Sequence, residues 1–315
     1  MSESRWPRIR QRVRWLDHLI RAGVRYDKMD GGRLAAAVTY YAFFAVFAMA
    51  LLSLAVLGYV LDDPGVLRAV QEYLVTNLPR LDAEALRDVR GTVGLIAFVT
   101  LMVTGLFWVD SLRSSIRAMW RLDEYPGSFL VRVAVDLLVL IGLGMLLTAT
   151  LTVAFGTNKL AGYLVVDAAG APPTAARWPL TFIGFALGLA VNTLLSVAVL
   201  SGLPRLRMPL RRVIGPALMI AVGLELLKTV GRIYVERTEA NPAYHVVTGA
   251  VGLLVFLNVL NQLVLFAAAL TATSTTGRVI DLAAGPMPQP IHLRRNRRDT
   301  RRWRPQRVWA ADRAA

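Results

Sequence analysis

Three charged residues stand in an otherwise apolar run of this sequence and have the spacing needed for chemistry on one helix face. Glu225, Lys228 and Arg232 occupy positions i, i+3 and i+7, which a helix brings to the same side. A carboxylate one turn from an ammonium group can take up a proton or hold a charged substrate, and intramembrane charges commonly mark such sites. The same pair can instead neutralise itself and stabilise a helix bundle, while Arg232 reaches the outer surface as an anchor. The sequence leaves both roles of Glu225 and Lys228 open.

Uncharged polar side chains in three other apolar runs could line a path to this pair. With 1.5 Å of rise per residue, they fall about 8–12 Å from one edge of a membrane, whereas Glu225 lies about 18 Å from that edge. Groups that share a depth predict a polar chamber, in which Asn192 is expected about 9 Å from the edge. Hydrogen bonds that merely hold helices together would use the same residue types. The predicted chamber residues are Tyr40, Tyr41, Asn192, Asn258, Asn261 and Gln262.

The elements that must position these residues are six long apolar runs. A helix of roughly 20 apolar residues crosses a hydrocarbon core of about 30 Å. The runs are continuous rather than alternating, which argues against a β-barrel. With 55% hydrophobic residues and a mean hydropathy of +0.49, the composition is that of a membrane protein. We therefore predict an all-α, polytopic membrane protein with six transmembrane helices, at about 34–61, 91–110, 136–158, 178–204, 213–235 and 246–277.

The net charge of +15 becomes an orientation signal when it is assigned to the segments between the runs. Of the 36 Lys and Arg residues, 27 lie in the two termini and in the second and fourth connecting loops. Seven lie in the first, third and fifth loops. The positive-inside rule then predicts that both termini are cytoplasmic and that the predicted chamber opens to the cytoplasm.

The two ends of the chain are basic and lie outside the runs. Residues 1–33 predict a basic amphipathic helix in the headgroup plane, although a partner helix could also cover its apolar face. Residues 278–315 predict a disordered basic tail, whose default partner is anionic lipid rather than nucleic acid. The residues expected to contact lipid headgroups are Arg12, Arg14, Arg211, Arg212, Arg297 and Arg298.

Enzyme classes find little support in the sequence. The chain has no cysteine, and the predicted topology places His245 across the membrane from the other two histidines, His18 and His292. No Gly-rich phosphate loop, carboxylate cluster or Ser/His/Asp set is recognisable. We therefore predict no catalytic residues, no metal, no cofactor and no enzymatic activity.

Short motifs follow one another along the runs in a recognisable order. They are LAAAVTYYAFF from Leu34, TVGL from Thr92, GPA from Gly215 leading to ELLK from Glu225, and NPAY from Asn241. In this order the sequence resembles the YihY/BrkB family of bacterial inner-membrane proteins over about residues 15–275. Where that family often ends its last span in Gly-Ala-Glu, this chain reads Ala267-Ala268-Ala269-Leu270, so any role of that glutamate is absent here.

The resemblance implies a six-helix fold in the bacterial inner membrane with both termini in the cytoplasm. It favours a transporter or lipid-handling protein of the cell envelope, with membrane lipids as partners and a homo-oligomer as a further possibility. The alternative is a non-transporting envelope scaffold or a serum-resistance factor. A water- or lipid-accessible interior that reaches Glu225 would separate the first function from the second.

Overall fold

The computed structural model describes residues 14–60, 83–142, 144–145, 173–238 and 245–283. Within these ranges the chain is almost entirely helical, which confirms the all-α prediction. The helices are α1 (Arg14–Lys28), α2 (Gly31–Val60), α3 (Ala83–Trp120), α4 (129–142), α5 (Pro173–Val197), α6 (Leu210–Thr238) and α7 (His245–Thr273). A π-helical segment, Ala198–Gly202, continues α5, and two short strands, β1 (Leu206–Arg207) and β2 (Ile280–Asp281), pair with each other.

Five helices in the described ranges are long and apolar enough to cross a membrane. Their apolar segments are Gly31–Ser53, Gly91–Trp120, Phe185–Gly202, Leu210–Tyr234 and Val247–Thr273. They correspond to five of the six predicted runs, so a multi-pass membrane protein is confirmed. The remaining run, 136–158, begins in α4 and continues mainly outside the described residues, and the total of six spans stays a prediction.

Helix α7 lies at the centre of the helix packing. It contacts α1, α2, α3 and α6, while α2 packs along α3 and α5 packs along α6. A glycine permits one of these close approaches: a Cβ at Gly223 of α6 would overlap the side chain of Leu263 of α7. Small residues at helix crossings replace the missing hydrophobic driving force in lipid with close backbone packing.

We expected helix α1 to lie in the headgroup plane, but the structure packs it against α7. Ala22 is fully buried, and the His18 Nε2 atom donates a hydrogen bond of 3.0 Å to the carbonyl oxygen of Leu270. The Tyr26 ring meets the Phe266 ring edge-on, with centroids 6.2 Å apart. A helix of the same chain therefore covers the face of α1 that carries Ala22 and Tyr26, whereas Trp15 and Val24 are exposed.

Helix α3 is longer than the apolar run that predicted it. The run ends at 110, and we assigned residues 110–136 to a connecting loop, but α3 continues to Trp120. The additional turns carry Asp110, Arg113 and Arg117. Because the two arginines form ion pairs inside the protein, their charges interrupt the apolar sequence without ending the helix.

The buried core is concentrated where α3 ends, α6 begins and α7 ends. We call this region, formed by residues 109–124, 200–213 and 264–283, the arginine end. Strands β1 and β2 lie in it, with Leu206 opposite Asp281 and Arg207 opposite Ile280 in antiparallel register. The assignment of residues 278–315 to a disordered tail is therefore wrong for 278–283, because a paired strand and a buried side chain hold them. Residues 284–315 lie outside the described residues.

Candidate functional site

A polar cluster joins α5 to α6 near the middle of their candidate membrane spans, Phe185–Gly202 and Leu210–Tyr234. The Nδ2 atom of Asn192 on α5 donates a hydrogen bond of 2.7 Å to the Oε1 atom of Glu225 on α6. The Nζ atom of Lys228 donates to the same oxygen at 2.6 Å. We call Asn192, Glu225 and Lys228 the mid-helix cluster. One carboxylate oxygen thus bridges a neutral amide and a charged ammonium group.

The packing around Glu225 differs between the two sides of its carboxylate. On the α5 side, a Cβ at Gly188 would make an ordinary van der Waals contact of 3.7 Å with Oε1, so Gly188 lies directly beside the carboxylate. On the other side, the Lys228 side chain is 45% exposed, compared with 21% for Glu225. Asn192 and Glu225 are half-buried, whereas Lys228 is exposed, so the ammonium group is the most open part of the cluster.

The contact between Asn192 and Glu225 corrects the depth predicted for Asn192. We placed Asn192 about 9 Å from the edge and Glu225 about 18 Å from it. A 2.7 Å hydrogen bond requires the two side chains to lie at one depth. The predicted depth of Asn192 was counted from the outer end of the fourth run, which is longer than a 30 Å core. Counted from residue 204, at the predicted cytoplasmic end of that run, Asn192 lies about 18 Å from the edge, at the same depth as Glu225.

The other predicted chamber residues form separate hydrogen-bonded or stacked groups. Asn261 of α7 is buried and donates to the hydroxyl of Thr39 on α2 at 3.1 Å, whereas Gln262 donates to Asn258 one turn away at 2.6 Å. The Tyr40 and Tyr41 rings meet edge-on, with centroids 5.4 Å apart, and the Tyr41 ring also stacks on Phe107. Thr39, which sequence reasoning missed, is the buried partner of Asn261. One chamber that contains all six residues stays a prediction.

Two arginines on successive turns of α3 form the buried ion pairs of the arginine end. Arg113 grips Asp136 of α4 with both edge nitrogens, Nε to Oδ1 at 3.0 Å and Nη2 to Oδ2 at 3.1 Å. It also pairs with Asp110, one turn earlier in α3. The Arg113 and Asp136 side chains are 1% and 4% exposed. Since a lone charge at this depth would be costly, the pair fixes α4 against α3.

Arg117 makes the second pair, with Asp281 of β2. Its Nη1 and Nη2 atoms donate to the two carboxylate oxygens at 3.1 and 2.9 Å. The same guanidinium donates to the carbonyl oxygens of Pro204 and Asp123, at 2.9 and 2.6 Å. One side chain therefore joins the end of α3 to the segment after α5 and to the strand after α7.

The prediction that Arg212 contacts lipid headgroups is wrong, because its guanidinium is buried and makes its contacts inside the protein. It donates to the carbonyl oxygens of Thr271 at 2.8 Å and Ser274 at 2.6 Å, and it lies over the Trp120 ring at 5.0 Å from the centroid. The last carbonyl groups of a helix lack partners within the helix, and a cation there is favoured by the helix dipole. Arg212 therefore caps the end of α7.

The structure does not test whether the other arginines on this list contact lipid headgroups. Arg211, next to Arg212, is exposed. Arg12, Arg297, Arg298 and the side chain of Arg14 lie outside the described residues. Within the described ranges, no group of three or more His, Asp or Glu residues is arranged to hold a metal ion.

A sequence signal for the arginine end did exist. Arg113 and Arg117 stand at positions i and i+4 directly after an apolar run, with Asp110 three residues before the first of them. Such spacing places all three on one helix face. We counted the arginines as loop charges instead, and nothing in the local sequence identifies their distant partners, Asp136 and Asp281.

Comparisons with known proteins agree with this architecture. Residues 22–291 match the family model described as virulence factor BrkB. The chain is 29% identical to the inner membrane protein YhjD of Escherichia coli (strain K12), over 84% of this chain and 82% of that protein. It is 30% identical to an uncharacterized protein of Dickeya dadantii (86% and 87% covered) and to a UPF0761 membrane protein of Azotobacter vinelandii (72% and 54% covered). No solved structure matches the chain.

Proposed function

The chain belongs to the virulence factor BrkB family, and from this premise we propose that it moves a polar or lipid substrate of the cell envelope across or within the membrane. The observation that carries the proposal is the mid-helix cluster, in which Glu225 shares one oxygen between Asn192 and Lys228. Ionisable side chains at this depth are costly, and proteins retain them mainly where they serve a pathway. A purely structural bridge between α5 and α6 would need only the neutral amide.

The cluster can couple a proton to an anionic substrate. When Glu225 is ionised, its carboxylate compensates the charge of Lys228. Protonation of Glu225 removes that compensation, so an anionic group then binds at the ammonium group in its place. Gly188 lies beside the carboxylate, and the partly exposed Lys228 side chain gives the anion access. Tyr40, Tyr41, Asn258, Asn261 and Gln262 line the path in this proposal, with the termini in the cytoplasm.

The test is whether water reaches the cluster in a lipid bilayer. The chain has no cysteine, so Gly188→Cys introduces a single thiol beside Glu225 and leaves all three cluster residues in place. Leu226→Cys is the matched control, because Leu226 follows Glu225 directly and its side chain is exposed on the outside of the helix bundle, where lipid surrounds it. We expect a small, charged thiol reagent to modify the protein at 188 and not at 226 in proteoliposomes.

The result also separates the proposal from the scaffold alternative. A tightly packed bundle excludes the reagent from both positions, and equal protection at 188 and 226 would therefore support a non-transporting scaffold. Modification at 188 that slows when anionic lipid or substrate candidates are added would identify compounds that occupy the cluster. Circular dichroism and thermal unfolding of both variants check that the fold is intact.

A further inference from the structure

Arg205 has an unusual backbone conformation at the arginine end. It follows the π-helical segment Ala198–Gly202 and has φ +58°, in the left-handed region that residues with a side chain rarely adopt. Two backbone hydrogen bonds hold it there: its amide donates to the carbonyl of Gly202 at 3.0 Å, and the amide of Leu282 donates to its own carbonyl at 3.0 Å. Backbone strain that the surroundings hold in place is typical of functional positions.

One edge of the Arg205 guanidinium, formed by two nitrogen donors, has no hydrogen-bond acceptor among the described residues. Its Nε and Nη2 atoms are buried and have no hydrogen-bond acceptor among the residues that the structure describes. These are the same two atoms with which Arg113 grips the carboxylate of Asp136. Buried donors of a charged group are rarely left without acceptors, because the lost hydration is not replaced.

The neighbouring carboxylates are already taken by other arginines. Asp136 accepts from Arg113, and Asp281 accepts from Arg117 through both of its oxygens. Burial lowers the pKa of the Arg205 guanidinium from its ordinary value, and Arg113 and Arg117 lower it further, while Asp136 and Asp281 act in the opposite direction. Arg205 is therefore a cation whose charge is incompletely satisfied.

We propose that the Nε and Nη2 edge of Arg205 binds a phosphate group. The planar edge of a guanidinium matches two oxygens of a phosphate, and Arg205 lies just beyond the end of the candidate span Phe185–Gly202, at the level where lipid phosphates occur. Both nitrogen atoms are buried in this conformation, whereas Arg205 as a whole is only partly buried, so phosphate binding requires its side chain to rotate until this edge reaches the surface. The ligand is the phosphate of a lipid headgroup or a free phosphate. The inference does not depend on transport through the mid-helix cluster.

The experiment measures phosphate-dependent stability of the full chain in a neutral detergent. Thermal unfolding of the wild type is followed as inorganic phosphate replaces chloride at constant ionic strength, and separately as phosphatidic acid replaces phosphatidylcholine in mixed micelles. We expect a saturable rise in Tm with at least one of the two probes. Arg205→Gln is expected to abolish the rise and, without phosphate, to be as stable as the wild type, because it removes a charge that has no acceptor.

Arg207→Gln is the matched control, since Arg207 is exposed, two residues away, and undergoes the same change of charge. It should retain the phosphate response. Arg205→Lys keeps the charge but lacks the bidentate edge, and it should weaken apparent phosphate affinity by about 10-fold or more, which gives a readout even if Arg205→Gln folds poorly.

The pattern of responses identifies the source of the phosphate or overturns the proposal. A rise with inorganic phosphate indicates a free phosphate site, and a rise with phosphatidic acid alone indicates a headgroup site. A wild type that responds to neither probe, or an Arg205→Lys variant that responds as strongly as the wild type, shows that Arg205 does not bind phosphate.

Discussion

Arg117 and Asp281 show how much a single side chain holds together at the arginine end. They lie 164 positions apart in sequence, yet their side chains are 1% and 7% exposed and share two hydrogen bonds. Removing one partner from a buried ion pair leaves an uncompensated charge, which costs more than the pair contributes when it is intact. The same reasoning applies with less force at the mid-helix cluster, where Lys228 is partly exposed.

The first prediction concerns Asp281→Ala. The variant leaves the buried Arg117 guanidinium without its carboxylate, and we expect a loss of roughly 3–5 kcal/mol in the free energy of unfolding. Asp27→Ala, at an exposed position near the end of α1, is the control and should change stability by less than about 0.5 kcal/mol. Urea unfolding in detergent measures both, and equal effects of the two variants would contradict the structural role of Asp281.

The second prediction separates a structural from a functional role of Glu225 and Lys228. Glu225→Leu and Lys228→Leu alone should each lower Tm in detergent, because either leaves one charge unpaired within the bundle. The double Leu variant should recover stability but remain inactive in a complementation assay, since packing is restored while the titratable groups are lost. A double variant that is both stable and fully active would show that the pair only holds α6 in place.

At the scale of elements, the short strand β2 stabilises the arginine end more than its length suggests. It has two residues, but it pairs with β1 and carries Asp281 to Arg117, and the residue that follows it, Leu282, donates the amide hydrogen bond that holds Arg205. An isolated two-stranded pair is marginal in water. Here the buried ion pair and the adjacent core supply the stability that the strands lack.

The third prediction compares two truncations around β2. A chain that ends after Ala283 keeps the strand and should unfold at nearly the wild-type temperature. A chain that ends after Gly277 loses Asp281 and should unfold several degrees lower, because Arg117 loses its carboxylate partner and β1 loses its paired strand. Differential scanning fluorimetry measures the difference; similar Tm values for the two chains would mean that β2 does not stabilise the fold.

The chain that ends after Ala283 also tests the basic tail. Removal of residues 284–315 takes away nine arginines and should weaken binding to anionic vesicles while the helix bundle remains folded. Exposed charges are screened over about 8–10 Å at physiological salt, so the part of the vesicle binding that is lost should be the part that decreases as salt is added. Binding that is unchanged by the truncation would rule out the tail as the headgroup contact.

At the scale of the whole molecule, the excess of basic residues has two uses. Arg113, Arg117 and Arg212 are buried in ion pairs or in a helix cap, whereas Arg207 and Arg211 are exposed. All five belong to segments that the positive-inside rule assigns to the cytoplasm. The charges from which we predict the orientation therefore also close the core at one end of the bundle.

The fifth prediction is this orientation. Because the chain lacks cysteine, a single cysteine at Ala83 or at Ala310 can be labelled without a background. In intact cells, a membrane-impermeant thiol reagent should label the cysteine at 83 and not the one at 310. The reverse pattern would overturn the topology and place the arginine end outside the cytoplasm.

The sequence by itself determined the class of fold and five helices that are long and apolar enough to cross a membrane, because hydrocarbon imposes a length and an apolar composition that each segment must satisfy locally. It also brought Glu225 and Lys228 together, since they lie one turn apart on one helix. Only the tertiary structure decided that Asn192 reaches Glu225 and that Arg212 is buried. It also decided that Arg117 pairs with Asp281. These contacts depend on how separate helices pack side by side, and the apolar pattern of a single helix does not specify which neighbour it meets or at what height.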